Sequence, residues 1–177
     1  MPAAKIGLGV LLAVVGCLFS LFLTAYFMRM HMAGDWRSLP VPKLLWLNTG
    51  MLILSSVALH RAQAAAGQGQ LDGVRVGLYG GGISALAFLA GQLVAWQQLT
   101  AEGYFAASNP ANAFFYLITG LHGLHLLGGL VALGRTIARV ERAFEAASLR
   151  LSVGLCATYW HFLLLVWLIL FGVLLLT

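Results

Sequence analysis

Acidic and basic residues divide this chain into five uncharged windows, at residues 6–28, 44–60, 76–101, 103–134 and 151–177. Their lengths of 23, 17, 26, 32 and 27 residues each reach the roughly 17–25 residues that a helix needs to cross about 30 Å of hydrocarbon. A backbone in lipid must satisfy its own polar groups, which leaves helices or closed barrels, and five spans do not make a barrel. The pattern therefore predicts an all-α fold, a polytopic membrane bundle of five transmembrane helices. The spans are expected at 6–29, 43–61, 75–100, 109–135 and 150–176, in a single transmembrane domain covering 1–177. Composition agrees: 61% of residues are hydrophobic and 8% charged, against roughly 45–50% and about 25% in a soluble domain. The second span is the shortest, and Lys43 and Arg61 at its ends are expected to snorkel to the interfaces.

Five spans place the termini on opposite sides, and the Lys and Arg residues choose between the two orientations. Lys5, Arg61, Arg75, Arg135, Arg139, Arg142 and Arg150 fall on the N-terminal side, and Arg29, Arg37 and Lys43 on the other. Cytoplasmic loops carry the excess of basic residues, so the N-terminus is expected in the cytoplasm and the C-terminus outside. The formal charge of +5 then reflects topology. It is no nucleic-acid footprint, because these residues sit in short loops rather than on one exposed domain.

The first apolar segment follows Lys5 as the h-region of a signal peptide follows its basic start, but its 23 uncharged residues exceed the roughly 7–15 of an h-region. Arg29 and His31 follow it in place of a small-residue cleavage site, so it is expected to stay as a helix. Cys17 and Cys156 both fall within spans, where a free thiol behaves as a small apolar residue, and their spacing matches no metal or disulfide pattern. No connection is long enough to form a separate core. Gln63 to Gly73 reads as a flexible Gly/Gln-rich loop, and Arg135 to Arg150 as a charged segment that extends its helices past the membrane surface. Gly77 and Gly81 stand at GxxxG spacing, a weak signal for close helix contact. Trp36, Trp46 and Trp96 lie near span ends on the outer side, where indole rings favour the interface.

Within the fourth window, Thr119, His122 and His125 follow one another at i, i+3 and form a polar stripe on a helix. Ionisable residues in hydrocarbon are rare and mark function by default. The stripe fits a haem or metal ligand pair, a proton relay, contact with lipid headgroups or a partner, or neutral imidazoles hydrogen-bonding across a tight helix interface. Gly120, Gly123, Gly128 and Gly129 surround it and permit such an interface. A bis-histidine haem needs partner histidines at matching depth, and only His60, at the end of span two, and His161, within span five, are candidates; His31 reads as a loop residue. Span five adds Tyr159, Trp160, His161, Phe162 and Trp167, large packing surfaces with one polar handle each on Tyr, Trp and His. Asp35, Asp72, Glu102, Glu141 and Glu145 all fall in loops or at span ends. A proton pump or ion-coupled transporter places an acid within the bilayer, so no catalytic centre of its own is expected.

These residues resemble subunit III of the haem-copper cytochrome c and quinol oxidases, in its shorter five-helix bacterial form. That family's helix reading approximately TG-F/L-HGLHV-x-x-G is matched by Thr119, Gly120, Leu121, His122, Gly123, Leu124, His125, Leu126 and Gly129. Its last helix, YWHF followed by a VVWL-like run, is matched by Tyr159, Trp160, His161, Phe162, Val166, Trp167 and Leu168. Leu47, Asn48 and Thr49 resemble its LNT-containing helix. The similarity covers almost the whole chain. It implies a non-catalytic accessory subunit of a bacterial aerobic terminal oxidase in the plasma membrane. It further implies packing on the catalytic subunit I among other respiratory subunits, bound phospholipid, and help in sustaining electron transfer to O2 and proton uptake. Haem and copper are implied in the partner and no cofactor in this chain. The residues implied at subunit or lipid interfaces are Thr119, Gly120, His122, Gly123, His125, Gly129, Tyr159, Trp160, His161 and Trp167.

Three departures limit the transfer. Gly16 precedes Cys17, Leu18 and Phe19 where the family carries an acid; Ala95, between Gln92 and Trp96, stands where it carries Glu; Leu164 stands where it carries Asp. All three remove carboxylates. Two other readings stay open: a divergent homologue serving a nitric-oxide-reductase-type or other respiratory assembly, and a self-contained bis-histidine haem electron carrier using His122 and His125.

Overall fold

The computed structural model describes residues 3–32, 34–142 and 146–177, so Glu145 lies outside the described residues. The described residues form five helices: α1 (Ala3–Met32), α2 (Leu44–Gly67), α3 (Leu71–Ala101), α4 (Pro110–Glu141) and α5 (Ala146–Leu176). All run past the uncharged windows, because a charged residue ends the apolar stretch without ending a helix. His31 consequently lies in the last turn of α1, not in a loop. The segment read as a flexible loop is mostly helical, since Gln63, Ala64, Ala65 and Ala66 are good helix formers and prolong α2. Only 68–70 separate α2 from α3, and Gly69 turns the chain with a φ of +73°. At the end of α3, Gly103 adopts φ +89° and Tyr104 N–H donates to the Leu99 carbonyl at 2.9 Å, the 6→1 bond that closes a Schellman motif. Asn109 caps α4: its side chain accepts from Ala111 N–H, Pro110 fills the first helical position, and Asn109 Nδ2 donates to the Arg37 carbonyl at 2.8 Å.

Four helices close a ring in the order α2, α3, α4, α5, each packing on its two neighbours and not across the diagonal at the backbone level. α1 stands outside the ring and, among the helices of the described residues, packs on α4 and α5 alone. Its buried residues Val15, Phe19 and Tyr26 occupy one narrow stripe, and the rest of α1 is largely exposed. The tightest seam is α2 on α3. A Cβ added at Gly77 would lie 2.6 Å from both the Ala58 carbonyl oxygen and Ala62 Cβ, and one at Gly81 would lie 2.9 Å from Leu59 Cγ. The GxxxG spacing is therefore used: it removes the side chains that would hold the two backbones apart.

Four of the five helices, α1, α3, α4 and residues Ser148–Leu176 of α5, are long and apolar enough to cross a membrane. α2 is the exception to the expected five because its own sequence is too polar, not because it is too short. Its 24 residues extend about 36 Å at ~1.5 Å per residue. Exposed His60 and Arg61 contribute to that polarity, together with Asn48, Thr49, Ser55 and Ser56, which are all buried. The four buried residues recur seven residues apart, two turns of helix, and so form a single stripe turned into the ring.

Candidate functional site

The interior of the ring is built from indole-to-hydroxyl pairs. Trp160 Nε1 donates to Ser55 Oγ at 2.8 Å, and that hydroxyl donates onward to the Gly81 carbonyl at 2.6 Å, so one relay ties α5, α2 and α3. Trp167 Nε1 donates to Thr49 Oγ1 at 2.9 Å, whose proton goes to the Leu45 carbonyl at 2.8 Å. Trp96 Nε1 donates to Thr119 Oγ1 at 3.2 Å, and Thr119 donates to the Phe115 carbonyl at 2.6 Å. In each pair the hydroxyl uses its proton on a helix carbonyl and its lone pair on the indole, which satisfies both partners without water. Trp160 and Trp167 are wholly buried.

The stripe on α4 divides between two environments. Each i, i+3 step drifts about 60° around a helix, so Thr119 and His125 end about 120° apart. Thr119 and His122 point into the ring and are buried. His125 is half-buried beside α1: its ring centroid lies 5.5 Å from that of Phe19 and its Nδ1–H donates to the Leu121 carbonyl of its own helix at 2.7 Å. His122 is enclosed by Phe19 at 6.3 Å, Phe88 at 5.8 Å and Trp167 at 5.2 Å, centroid to centroid. Neither of its nitrogens has a hydrogen-bond partner among the described residues. The cross-helix hydrogen bonds expected of the two imidazoles are thus made by other groups, the tryptophans and Tyr159.

The glycines of the motif differ in what they admit. A Cβ at Gly129 would come within 2.8 Å of both Tyr159 Cε1 and Trp160 Cζ3, so this glycine lets α5 lay its two large rings directly on α4. Tyr159 O–H then reaches the backbone carbonyl of His125 at 2.9 Å. At Gly120 the nearest atom is Trp96 Cη2 at 3.4 Å, and at Gly123 it is Leu89 Cδ2 at 3.6 Å, ordinary contacts that an alanine would tolerate. His161 faces outward from α5. Its Nδ1 shares a 2.5 Å hydrogen bond with Ser56 Oγ, and its ring centroid lies 5.7 Å from that of His60, bringing together the two histidines that the sequence left as isolated candidates. Asn48, Ser55, Ser56, Gln92 and Phe88 were not singled out in the sequence as site residues. The seven-residue repeat of Asn48 with Ser55 and of Thr49 with Ser56 was the available signal.

Among the described residues no group of three or more His, Cys, Asp or Glu side chains is placed to hold a metal ion. Between α1, α4 and α5 runs a groove of ≈ 550 Å³, lined by Leu8, Leu11, Leu124 and Val131 with Arg135 and Arg139 toward one end.

Residues 5–176 match the family model described as cytochrome c oxidase subunit III. The chain is 32% identical over 160 residues to the "Probable cytochrome c oxidase subunit 3" of Mycobacterium tuberculosis, an overlap of 88% of this chain and 77% of that one. It is 30% identical over 176 residues to the "Cytochrome c oxidase subunit 3" of Thermostichus vulcanus, covering 96% and 85%. With the "Probable cytochrome c oxidase subunit 3" of Nocardia farcinica it shares 30% over 158 residues, covering 88% and 76%.

Proposed function

The chain belongs to the cytochrome c oxidase subunit III family, and we propose that it is the non-catalytic accessory subunit of a bacterial aerobic terminal oxidase. In this reading it packs on the haem-copper catalytic subunit in the cell membrane, binds phospholipid, and helps to sustain electron transfer to O2 and proton uptake. Haem and copper belong to the partner. The observation that carries the proposal is the role of the family's own motif residues: Thr119, Gly129, Tyr159, Trp160 and Trp167 all hold helices of this chain together.

All five helices span the membrane in this reading. α2 is admitted because Asn48, Thr49, Ser55 and Ser56 are turned inward, so the surface it offers to lipid is more apolar than its sequence. The N-terminus faces the cytoplasm. Support comes from the gathering of the more basic connections at one end of the bundle, where Arg150 Nε donates to the Ala66 carbonyl at 3.0 Å and Arg75 pairs with Glu141 at 3.2 Å. The apolar walls and terminal arginines of the groove between α1, α4 and α5 fit an acyl chain below an anionic headgroup.

Purification from membranes through a tag on this chain tests the proposal. A haem-copper catalytic subunit is expected to co-purify, and its removal is expected to leave the isolated chain without a visible haem spectrum. A Soret band at stoichiometric haem in the isolated chain would overturn the accessory-subunit reading in favour of a haem carrier. Co-purification with a nitric-oxide-reductase-type catalytic subunit would reassign the assembly.

A further inference from the structure

Three side chains deep in the ring hold polar atoms that the protein itself does not satisfy. Asn48 Nδ2, Gln92 Nε2, Gln92 Oε1, His122 Nδ1 and His122 Nε2 make no hydrogen bond to any described residue. Their residues are 2%, 4% and 0% exposed respectively. Buried polar groups in native proteins are paired almost without exception, and those left over mark water or an ion. The indoles of Trp96, Trp160 and Trp167 in the same ring are paired, whereas Arg75 Nε and Asn112 Oδ1 on the ring helices likewise lack a hydrogen bond among the described residues.

The three residues surround one region. A Cβ at Gly91 would fall within the carboxamide of Asn48, which sets Asn48 of α2 against the backbone beside Gln92 of α3. Gln92 lies one turn from Phe88, whose ring meets His122, and one turn from Trp96, which bonds Thr119. Gln92 therefore faces the turn of α4 that carries Thr119 and His122. His122 lies 5.2 Å from Trp167, centroid to centroid, and Trp167 bonds Thr49, the neighbour of Asn48. The path returns to its start through all four helices of the ring. Ala95, one turn beyond Gln92 and fully buried, ends at Cβ and keeps this layer short of side-chain volume.

We propose that Asn48, Gln92 and His122 form an internal hydration site at the centre of the α2–α5 ring, holding water that bridges the three side chains. The chemistry of the unmet groups selects water over an ion. Neutral Asn, Gln and His together present amide N–H donors, an imidazole N–H, an amide oxygen and an imidazole lone pair. A cation leaves the N–H groups facing positive charge, and an anion leaves the amide oxygen and the lone pair unmet. Water donates and accepts, and an ordered internal water makes about three such bonds. Rotating either amide exchanges the positions of its N and O without changing this inventory. The inference stands on this chain's own residues and is independent of the oxidase assignment.

The test is a cryo-EM map of the intact complex in lipid nanodiscs, at a local resolution that shows ordered waters at other buried sites. Non-protein density within hydrogen-bonding distance of at least two of Asn48, Gln92 and His122 is expected. A dry region, or a direct hydrogen bond between the Gln92 amide and His122, would overturn the site; density with the height and coordination of an ion would replace water by that ion. A cycle of Gln92→Leu, His122→Phe and the double variant provides a second readout that needs no partner, the midpoint of thermal unfolding of the purified chain in detergent. A shared water predicts that the double variant shifts this midpoint by less than the sum of the single shifts. Additive shifts would refute bridging.

Discussion

Gly77→Ala isolates the packing of the α2–α3 seam in a single carbon atom. The added Cβ would lie 2.6 Å from the Ala58 carbonyl oxygen, 2.6 Å from Ala62 Cβ and 2.9 Å from Ala62 Cα. Two of those three atoms are backbone and none belongs to a flexible side chain, so relief requires α2 and α3 to separate by close to 1 Å. A gap of that size forfeits about a quarter to a half of the dispersion well for each contact it opens, along the most extensive seam in the molecule. Overpacking of this kind costs about 1–3 kcal/mol, while alanine in a helix returns about 1 kcal/mol relative to glycine. The expected net effect is a loss of up to about 2 kcal/mol. Gly80→Ala, one turn away, supplies the control: its Cβ would meet Ala58 Cβ at an ordinary 3.8 Å, so only the helical gain remains. Thermal unfolding of the purified chain in detergent, followed by tryptophan fluorescence and circular dichroism, should rank Gly80→Ala at or above the parent and Gly77→Ala well below it. If Gly77→Ala were as stable as Gly80→Ala, the close approach of α2 and α3 would be wrong.

Gly129→Ala should destabilise the α4–α5 seam by about 1–3 kcal/mol, because its Cβ meets the Tyr159 and Trp160 rings; Gly123→Ala, with only a 3.6 Å contact, should be neutral in the same unfolding assay. Trp160→Phe removes the donor to Ser55 while keeping an aromatic ring, and should lower stability by about 1 kcal/mol from the lost hydrogen bond plus the smaller ring, an effect that Ser55→Ala should largely absorb in a double-mutant cycle. Replacing Glu141 by Gln, which weakens the exposed pair with Arg75, should change stability by no more than about 1 kcal/mol, with the difference disappearing in high salt. His125→Leu should leave the fold intact, since the imidazole bonds only its own helix, and should leave the haem spectrum of the assembled complex unchanged; a lost haem signal would restore a ligand role.

The number of helices was legible because charge exclusion from hydrocarbon is a strong and local rule, readable from Lys5, Arg29 and the other interrupting residues alone. Their ends were less legible, since Ala64–Ala66 and Arg135–Glu141 carry helix-forming sequence beyond the uncharged windows. The polarity of α2 illustrates a different limit. A hydropathy window averages around the helix, so it records Asn48 and Ser55 but not that they face inward. The HGLH stripe exposed His122 as unusual without revealing what surrounds it, because Phe19, Phe88 and Trp167 arrive from three other helices. Trp160 and Ser55 stand 105 residues apart, and nothing local in either segment announces their pairing. Gly77 and Gly129 were visible as glycines, while their necessity appears only against Ala62 and Tyr159.

The isolation of α1 has a bearing on how the molecule is made. The neighbours of α1 are α4 and α5, and the first of these begins at Pro110. At roughly 5–20 residues per second of synthesis, α1 emerges several seconds before the α4 and α5 residues that receive Phe19 and that join Trp36 in receiving Tyr26. α2 and α3, joined by three residues, meet at once as a hairpin. During that interval α1 is a solitary span, held by its own hydrophobicity, and the last helix to emerge completes both the ring and the seat of the first. Tyr26, whose hydroxyl reaches Thr177, finds that partner only when translation has reached that residue, so the C-terminal end of α1 reports the arrival of α5.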